Sequence, residues 1–246
     1  MNINFNKRQR KEIRKFLSNF HGKERTDLYR IFKAVAYLVY TGIQWKMLPS
    51  YYPRPTTVYY HFRKWCESSA PVTFLRRLVA ARRHKIGKRR SPTVAVIDSR
   101  SIRSANSQST KGIDGFKKVK GIKCHILVDT NGFPLLNEIT TANIHDSKGC
   151  DKLLADMHIY YPTVALVKAD YGYRGIDCSA EKPILECVKS NFGSSEFVPV
   201  SGRWVVERTN AWLDNFRRLC RNYERYLNVA STMTYIACIL FMLRYL

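Results

Sequence analysis

TVAVID, residues 93–98, and TVALVKAD, residues 163–170, decide the fold. Each is a short run, apolar almost throughout, that closes on an aspartate. Strands buried on both faces read this way, because alternation with polar residues survives only where one face meets water. Both strands are expected to end at their acid. Between them GIKCHILVD (121–129), Asn131-Gly132 and FPLLNEITTA (133–142) have the pattern of a β-hairpin, with Asn-Gly suited to its tight turn. Asp146 to Met157 follow as a helix. A hairpin and then strands alternating with helices predict a mixed α/β sheet.

Upstream the pattern is helical. Residues 28, 31, 32, 35, 38 and 39 are Leu, Ile, Phe, Val, Leu and Val, one helix face, with Thr26 at the N-cap position and Gly42 at the stop. After the proline-rich turn from Pro49 to Pro55, Thr56 or Thr57 is placed to cap a second helix. Its apolar face is Val58, Phe62, Trp65 and Cys66, and its other faces carry Tyr60, His61, Arg63 and Lys64. Two helices about a short break, the second basic and aromatic outside, suggest a helix-turn-helix-like DNA reader. A helical bundle with a solvated basic face fits the same residues. A third helix over 72–84 leads into the basic linker from His84 to Pro92.

Downstream, Thr209, Trp212, Leu213, Phe216, Leu219, Cys220, Tyr223 and Leu227 predict one long helix beginning at Arg203. The apolar run from Val229 to Leu246 contains Ser231, Thr232, Thr234 and Arg244, and reads as a buried helix rather than a membrane span.

Of 246 residues, 42 are Lys or Arg and 19 are Asp or Glu, a net charge of +23. Residues 1–90 hold 22 basic and 4 acidic residues, whereas residues 91–246 hold 20 and 15. The first part has the charge of a polyanion-binding surface, and the second has acid to spare for chemistry. Seven cysteines without a C-x-x-C pair argue against a zinc site or a disulfide framework. The segment MNINFNKRQRKEIRK is charged from its start, unlike a signal peptide. These features predict a cytoplasmic, nucleoid-associated protein with no membrane partner.

Asp98 and Asp170 share a context that lets two carboxylates converge, since ligands of open α/β sheets collect beyond strand ends. Phosphoryl transfer on DNA suits two Mg²⁺ ions roughly 4 Å apart, each content with a few carboxylates, water and phosphate. Glu207, in the first turn of the long helix and amid Arg203, Arg208, Arg217 and Arg218, is the natural third acid. Those arginines are placed to hold DNA phosphates. Each acid also has a structural reading: a turn residue at Asp98, a strand end at Asp170, a helix-dipole acid at Glu207. Asp129 reads as hairpin-turn chemistry, Asp146 as a helix N-cap, and His125 as a strand residue rather than a ligand.

VAVIDSRSI (94–102), GIKCHILVDTNGFPL (121–135), VKADYGYRG (167–175) and RWVVERTNAWLDNFRRLCRNYER (203–225) resemble the DDE transposases of bacterial insertion sequences, in the group numbered five. TGIQWKMLPSYYPRPTTVYYHFRKW (41–65) resembles that group's DNA-binding region. The resemblance implies an RNase H-like catalytic domain over 91–246, preceded by a helical, helix-turn-helix-like DNA-binding domain over 1–90. It implies a metal triad of Asp98, Asp170 and Glu207, two Mg²⁺ ions that Mn²⁺ can replace, and an Arg-x-x-x-Glu element on Arg203 and Glu207. DNA contacts are expected from Arg63, Lys64, Arg203, Arg208, Arg217 and Arg218. Val200 stands where relatives often carry a tyrosine, and Asp214 where they often carry a basic residue. The implied reaction is cleavage at insertion-sequence ends followed by strand transfer, on terminal inverted repeats and target DNA, by a homo-oligomer. The competing readings are a non-catalytic DNA-binding regulator derived from a transposase, and an RNase H-like nuclease.

Overall fold

The computed structural model describes residues 3–20, 27–173, 184–188 and 204–246. Helix α1 (Lys7–Leu17) starts at Asn6, whose side chain accepts from the Gln9 N–H while the Gln9 side chain accepts from the Asn6 N–H. This reciprocal capping satisfies two end groups the helix cannot. Helix α2 (Leu28–Thr41) is capped by Asp27, and the expected cap, Thr26, lies outside the described residues. Gly42 ends α2 at φ 72°, the left-handed stop that the sequence predicts.

Helix α3 (Pro55–Cys66) begins earlier than expected, on Pro55 rather than under a threonine cap, because proline's fixed φ suits the first helical position. The connection from Gly42 to Arg54 contains a 3₁₀ turn at Trp45–Met47. It is longer than the roughly 3–4-residue turn of a compact helix-turn-helix. Helix α4 (Ala70–Lys85) completes the helical region. Phe16 stacks on Phe74 at 5.0 Å and meets Trp65 at 5.6 Å, so α1, α3 and α4 converge on one aromatic centre.

Among the described residues the sheet has six strands: β1 (Val94–Arg103), β2 (Gly112–Asp114), β3 (Val119–Asp129), β4 (Pro134–Thr141), β5 (Leu166–Asp170) and β6 (Ile184–Val188). They run in the order β2-β3-β1-β5-β6, with β4 also on β3. Strands β1, β3 and β4 pair antiparallel, and β1, β5 and β6 parallel. The mixed α/β class expected from the sequence is what forms, with a helical region ahead of a sheet core. Helices α5 (Asp146–Gly149) and α6 (Asp151–Tyr160) fill the crossover from β4 to β5.

Two expected boundaries are corrected. Strand β1 does not end at Asp98 but runs to Arg103, because β3 pairs with it as far as Gly121. The long helix expected from Arg203 to Leu227 is helical only over α7 (Trp204–Leu213), with a 3₁₀ turn at Arg217–Leu219 after it, while the buried helix expected from Val229 forms as α8 (Leu227–Leu243). Asp214 and Asn215 cause the break: Asn215 donates its side-chain amide to the Trp212 carbonyl, and Asp214 is drawn into an ion pair with Arg100 on β1. Short polar side chains compete in this way with helical backbone bonding.

Helix α8 is buried nearly all round, as its even apolar pattern predicts. It packs against α2, α3, α4 and β4, so the helical region and the sheet share one core. A buried ion pair joins them again, from Arg83 of α4 to Asp129 at the end of β3. Asp129 also accepts from the backbone N–H groups of Asn131 and Phe133, the turn role the sequence predicts. Removing one partner strands the other charge in the interior. Arg83→Met should therefore lower the unfolding free energy by about 3 kcal/mol or more, read by urea denaturation. A loss below about 1 kcal/mol would mean the pair carries no coupling between the two regions. Among the described residues no helix is long and apolar enough to cross a membrane.

Candidate active site

Strands β1 and β5 run parallel with Val96 opposite Lys168. The pairing ends there, and Asp98 and Asp170 each lie two residues further along their strands, beyond the last paired residues. Paired strands lie about 4.8 Å apart, so the two acids leave the ladder from neighbouring strands. Asp98 is half-buried in mid-strand, where β5 leaves β1, and Asp170 is half-buried at the end of β5. That divergence opens the sheet at the two acids.

Helix α7 lies over this point, and its anchoring starts at the hairpin turn. Gly132, at φ 79°, turns the chain so closely that an added Cβ would stand 2.9 Å from the Thr209 hydroxyl. The Thr209 hydroxyl donates to the Gly132 carbonyl at 2.7 Å, and the Arg208 guanidinium donates to the Asn131 carbonyl at 2.8 Å. So held, α7 presents Asn210, whose amide donates to an Asp98 carboxylate oxygen at 3.2 Å. Glu207 sits three residues earlier, on the same side of the helix, and is exposed. Opposite, the Gly172 N–H donates to Asp170 Oδ1 at 2.9 Å.

The three acids thus stand on three different elements, Asp98 on β1, Asp170 at the end of β5 and Glu207 on α7. Among the described residues, however, no three His, Cys, Asp or Glu side chains close on one point as a metal cage. The donor set still suits a hard cation, because Mg²⁺ is commonly held by only one or two carboxylates, with water and substrate phosphate completing its shell.

The expected DNA contacts divide. Arg217 is exposed. Lys64 lies over the Tyr60 ring at 4.5 Å, and Arg63 pairs with Glu67 at 3.1 Å while lying over Tyr226. Arg208 is sandwiched between Trp204 and Trp212, its guanidinium carbon 4.4 and 4.6 Å from their rings. Arg218 is buried, paired with Glu224 at 2.7 Å and donating to the Ile43 carbonyl. Those two arginines hold the protein's own parts together. Arg203 and Val200 lie outside the described residues.

Two features escaped the sequence reading. The first is α1, whose Lys7, Arg8, Arg10, Lys11, Arg14 and Lys15 are all exposed around the single acid Glu12. The run of cations was visible in the sequence, but only the fold shows Ile13, Phe16 and Leu17 turned inward so that the charge faces out. The second is Asp146. It is not the N-cap of α5, a role that falls to His145, and instead it pairs with Lys123 at 2.8 Å.

His125 is no ligand. Its ring is fully buried between the Tyr173 hydroxyl at 3.2 Å and the Thr140 hydroxyl at 3.3 Å, and burial pushes its pKa from 6.5 down to about 4. The unfolded chain then takes up a proton that the folded protein refuses. Stability should accordingly fall as pH drops from about 6.5 to about 4, by up to roughly 3 kcal/mol. Thermal melts across that window check this. A slope left unchanged in His125→Gln would assign the loss to other groups.

Comparison with known proteins agrees with this geometry. Residues 8–70 match the family described as "Putative transposase of IS4/5 family", and residues 89–182 match "Transposase DDE domain". The chain thus resembles DDE transposases of the IS4/5 type over both its helical region and much of its sheet. It is similar to the "Putative transposase for insertion sequence element IS402" of Burkholderia cepacia, at 32% identity over 49% of this chain and 62% of that protein. The chain therefore spans about three fifths of the curated relative it matches. A DDE domain implies dependence on a divalent metal. The DDE match covers Asp98 and Asp170 and stops before Glu207.

Proposed function

We propose that this protein is a transposase that cleaves DNA at the ends of an insertion sequence and joins the freed ends to target DNA. The observation that carries this reading is the parallel pairing of β1 with β5, each carrying an acid two residues past its last pair, with α7 bonded to the acid of β1. Asp98, Asp170 and Glu207 would hold two Mg²⁺ ions, replaceable by Mn²⁺. Bound there, the metal would activate a water or a 3′-hydroxyl and offset the charge on the leaving oxygen.

The chain's own residues prepare that seat. Asn210 orients Asp98, and the Gly172 N–H orients Asp170, so neither carboxylate must reorganise when substrate arrives. Residues 1–90 are assigned to DNA binding and 91–246 to the chemistry. The exposed cations of α1, with Arg63, Lys64 and Arg217, face the phosphate backbone of terminal inverted repeats and target DNA. Arg203 belongs to the same assignment. Two copies acting together on paired DNA ends complete the reading, because strand transfer needs both ends at once.

The test is a duplex carrying the inverted repeats that flank the gene, incubated with the full chain and Mg²⁺. Nicks at the repeat ends and joined products are expected. Nicks without joining would favour a nuclease, and binding without nicks would favour the non-catalytic regulator.

A further inference from the structure

Lys123 is a buried lysine that the proposed chemistry does not use. It rises from β3 with its side chain 8% exposed, and its ammonium donates to the Ile144 carbonyl at 2.8 Å and pairs with Asp146 Oδ1 at 2.8 Å. Asp114 stands 4.0 Å away on the other side. A desolvated ammonium needs such partners, because an unpaired buried charge costs several kcal/mol. The other oxygen of Asp146 points toward the chain just after Asp170. A Cβ placed on Gly172 would lie 3.4 Å from Asp146 Oδ2 and 3.0 Å from Asp170 Oδ1. The two carboxylates thus border the space that Gly172 leaves free of a side chain, and the Gly172 N–H donates to Asp170.

We propose that Lys123 and Asp146 form a positioning pair for Asp170, holding the Asp146 carboxylate beside the side-chain-free face of Gly172 so that the turn carrying the Gly172 N–H keeps its place at Asp170 Oδ1. Lys123 also cancels the charge of Asp146, which would otherwise repel Asp170 across the glycine. The pair touches neither metal nor DNA. It acts on a metal-holding residue through one peptide, and so it rests on the assignment of Asp170 as a metal holder.

Position and field are separable, because they predict opposite signs at Lys123. Removing a positive charge near a cation seat tightens cation binding if only the field matters. Removing a brace loosens it. Mn²⁺ uptake by the full-length protein, followed through the loss of the free-ion electron paramagnetic resonance signal, reads this without any turnover. Outer-shell partners of metal ligands typically contribute about 10–100-fold to affinity. Lys123→Met is expected to weaken Mn²⁺ binding about tenfold, and Lys123→Arg to restore part of it. Mn²⁺ binding by Lys123→Met at wild-type strength or tighter overturns the proposal. If Lys123→Met does not fold, Asp146→Asn decides. It keeps the shape of the carboxylate and leaves Lys123 its Ile144 and Asp114 partners, and unchanged affinity there overturns the proposal equally. Wild-type protein that takes up no Mn²⁺ would remove the metal assignment itself, an outcome distinct from unaltered variants.

Discussion

Asp98→Asn is expected to fold, bind DNA and fail to cut it. Asparagine keeps the side chain's size and can still bond to Asn210, so the contact at 3.2 Å need not be lost. What disappears is the negative charge a hard cation requires. Preorganised charge stabilisation of this kind is worth about 10²–10³ in rate when a single group is removed, and cleavage should fall by at least that factor. A melting curve within a few degrees of wild type and an unchanged DNA-binding isotherm must accompany the loss. Mg²⁺-dependent cleavage close to the wild-type rate would reduce Asp98 to a polar strand residue.

The second large effect is electrostatic. Lys7, Arg8 and Lys11 project from a helix whose inner face is fixed by Ile13, Phe16 and Leu17, so glutamine at all three should leave the fold intact. Each phosphate contact removed lowers the slope of log affinity against log salt by about 0.9. The triple variant should therefore lose roughly two to three units of slope, and bind about tenfold or more weakly at low salt. The loss should be equal on all sequences, because phosphates carry no sequence information. An unchanged slope would move the DNA surface away from α1. The measurement needs the full chain, since α8 supplies part of the core of α2, α3 and α4.

How much of this was legible in the sequence follows from what each signal depends on. The hairpin, the two apolar strands and helices α2 and α3 are local patterns, and each appears near its expected place. Gly42 stops α2, and Asn131-Gly132 turns the hairpin. The extension of β1 past Asp98 was not legible, because Ser99, Arg100 and Ser101 earn their strand from pairing with β3 rather than from their own pattern. The break after Leu213 was masked by apolar spacing that continues through Phe216 and Leu219. Both are buried, but in a turn rather than along a helix face.

Charge was legible in amount and not in address. Arg208 and Arg218 look like phosphate ligands in the sequence, and the fold spends them on two tryptophans and on Glu224. The α1 cations look like any basic terminus until the helix orients them. The placing of Asp98 and Asp170 on neighbouring parallel strands required the strand pairing itself, which no single segment encodes. Asp146 and Lys123 lie on different strands and helices, and only the fold brings them together beside Asp170.

The most direct measurement of the central claim is cleavage by the purified full chain of a duplex bearing its flanking inverted repeats, with Mg²⁺ and with a chelator. The expected result is nicking at the repeat ends that leaves 3′-hydroxyls, restored by Mn²⁺ after chelation. Repeat DNA that is bound but never cut, or cutting that survives the chelator, would contradict it.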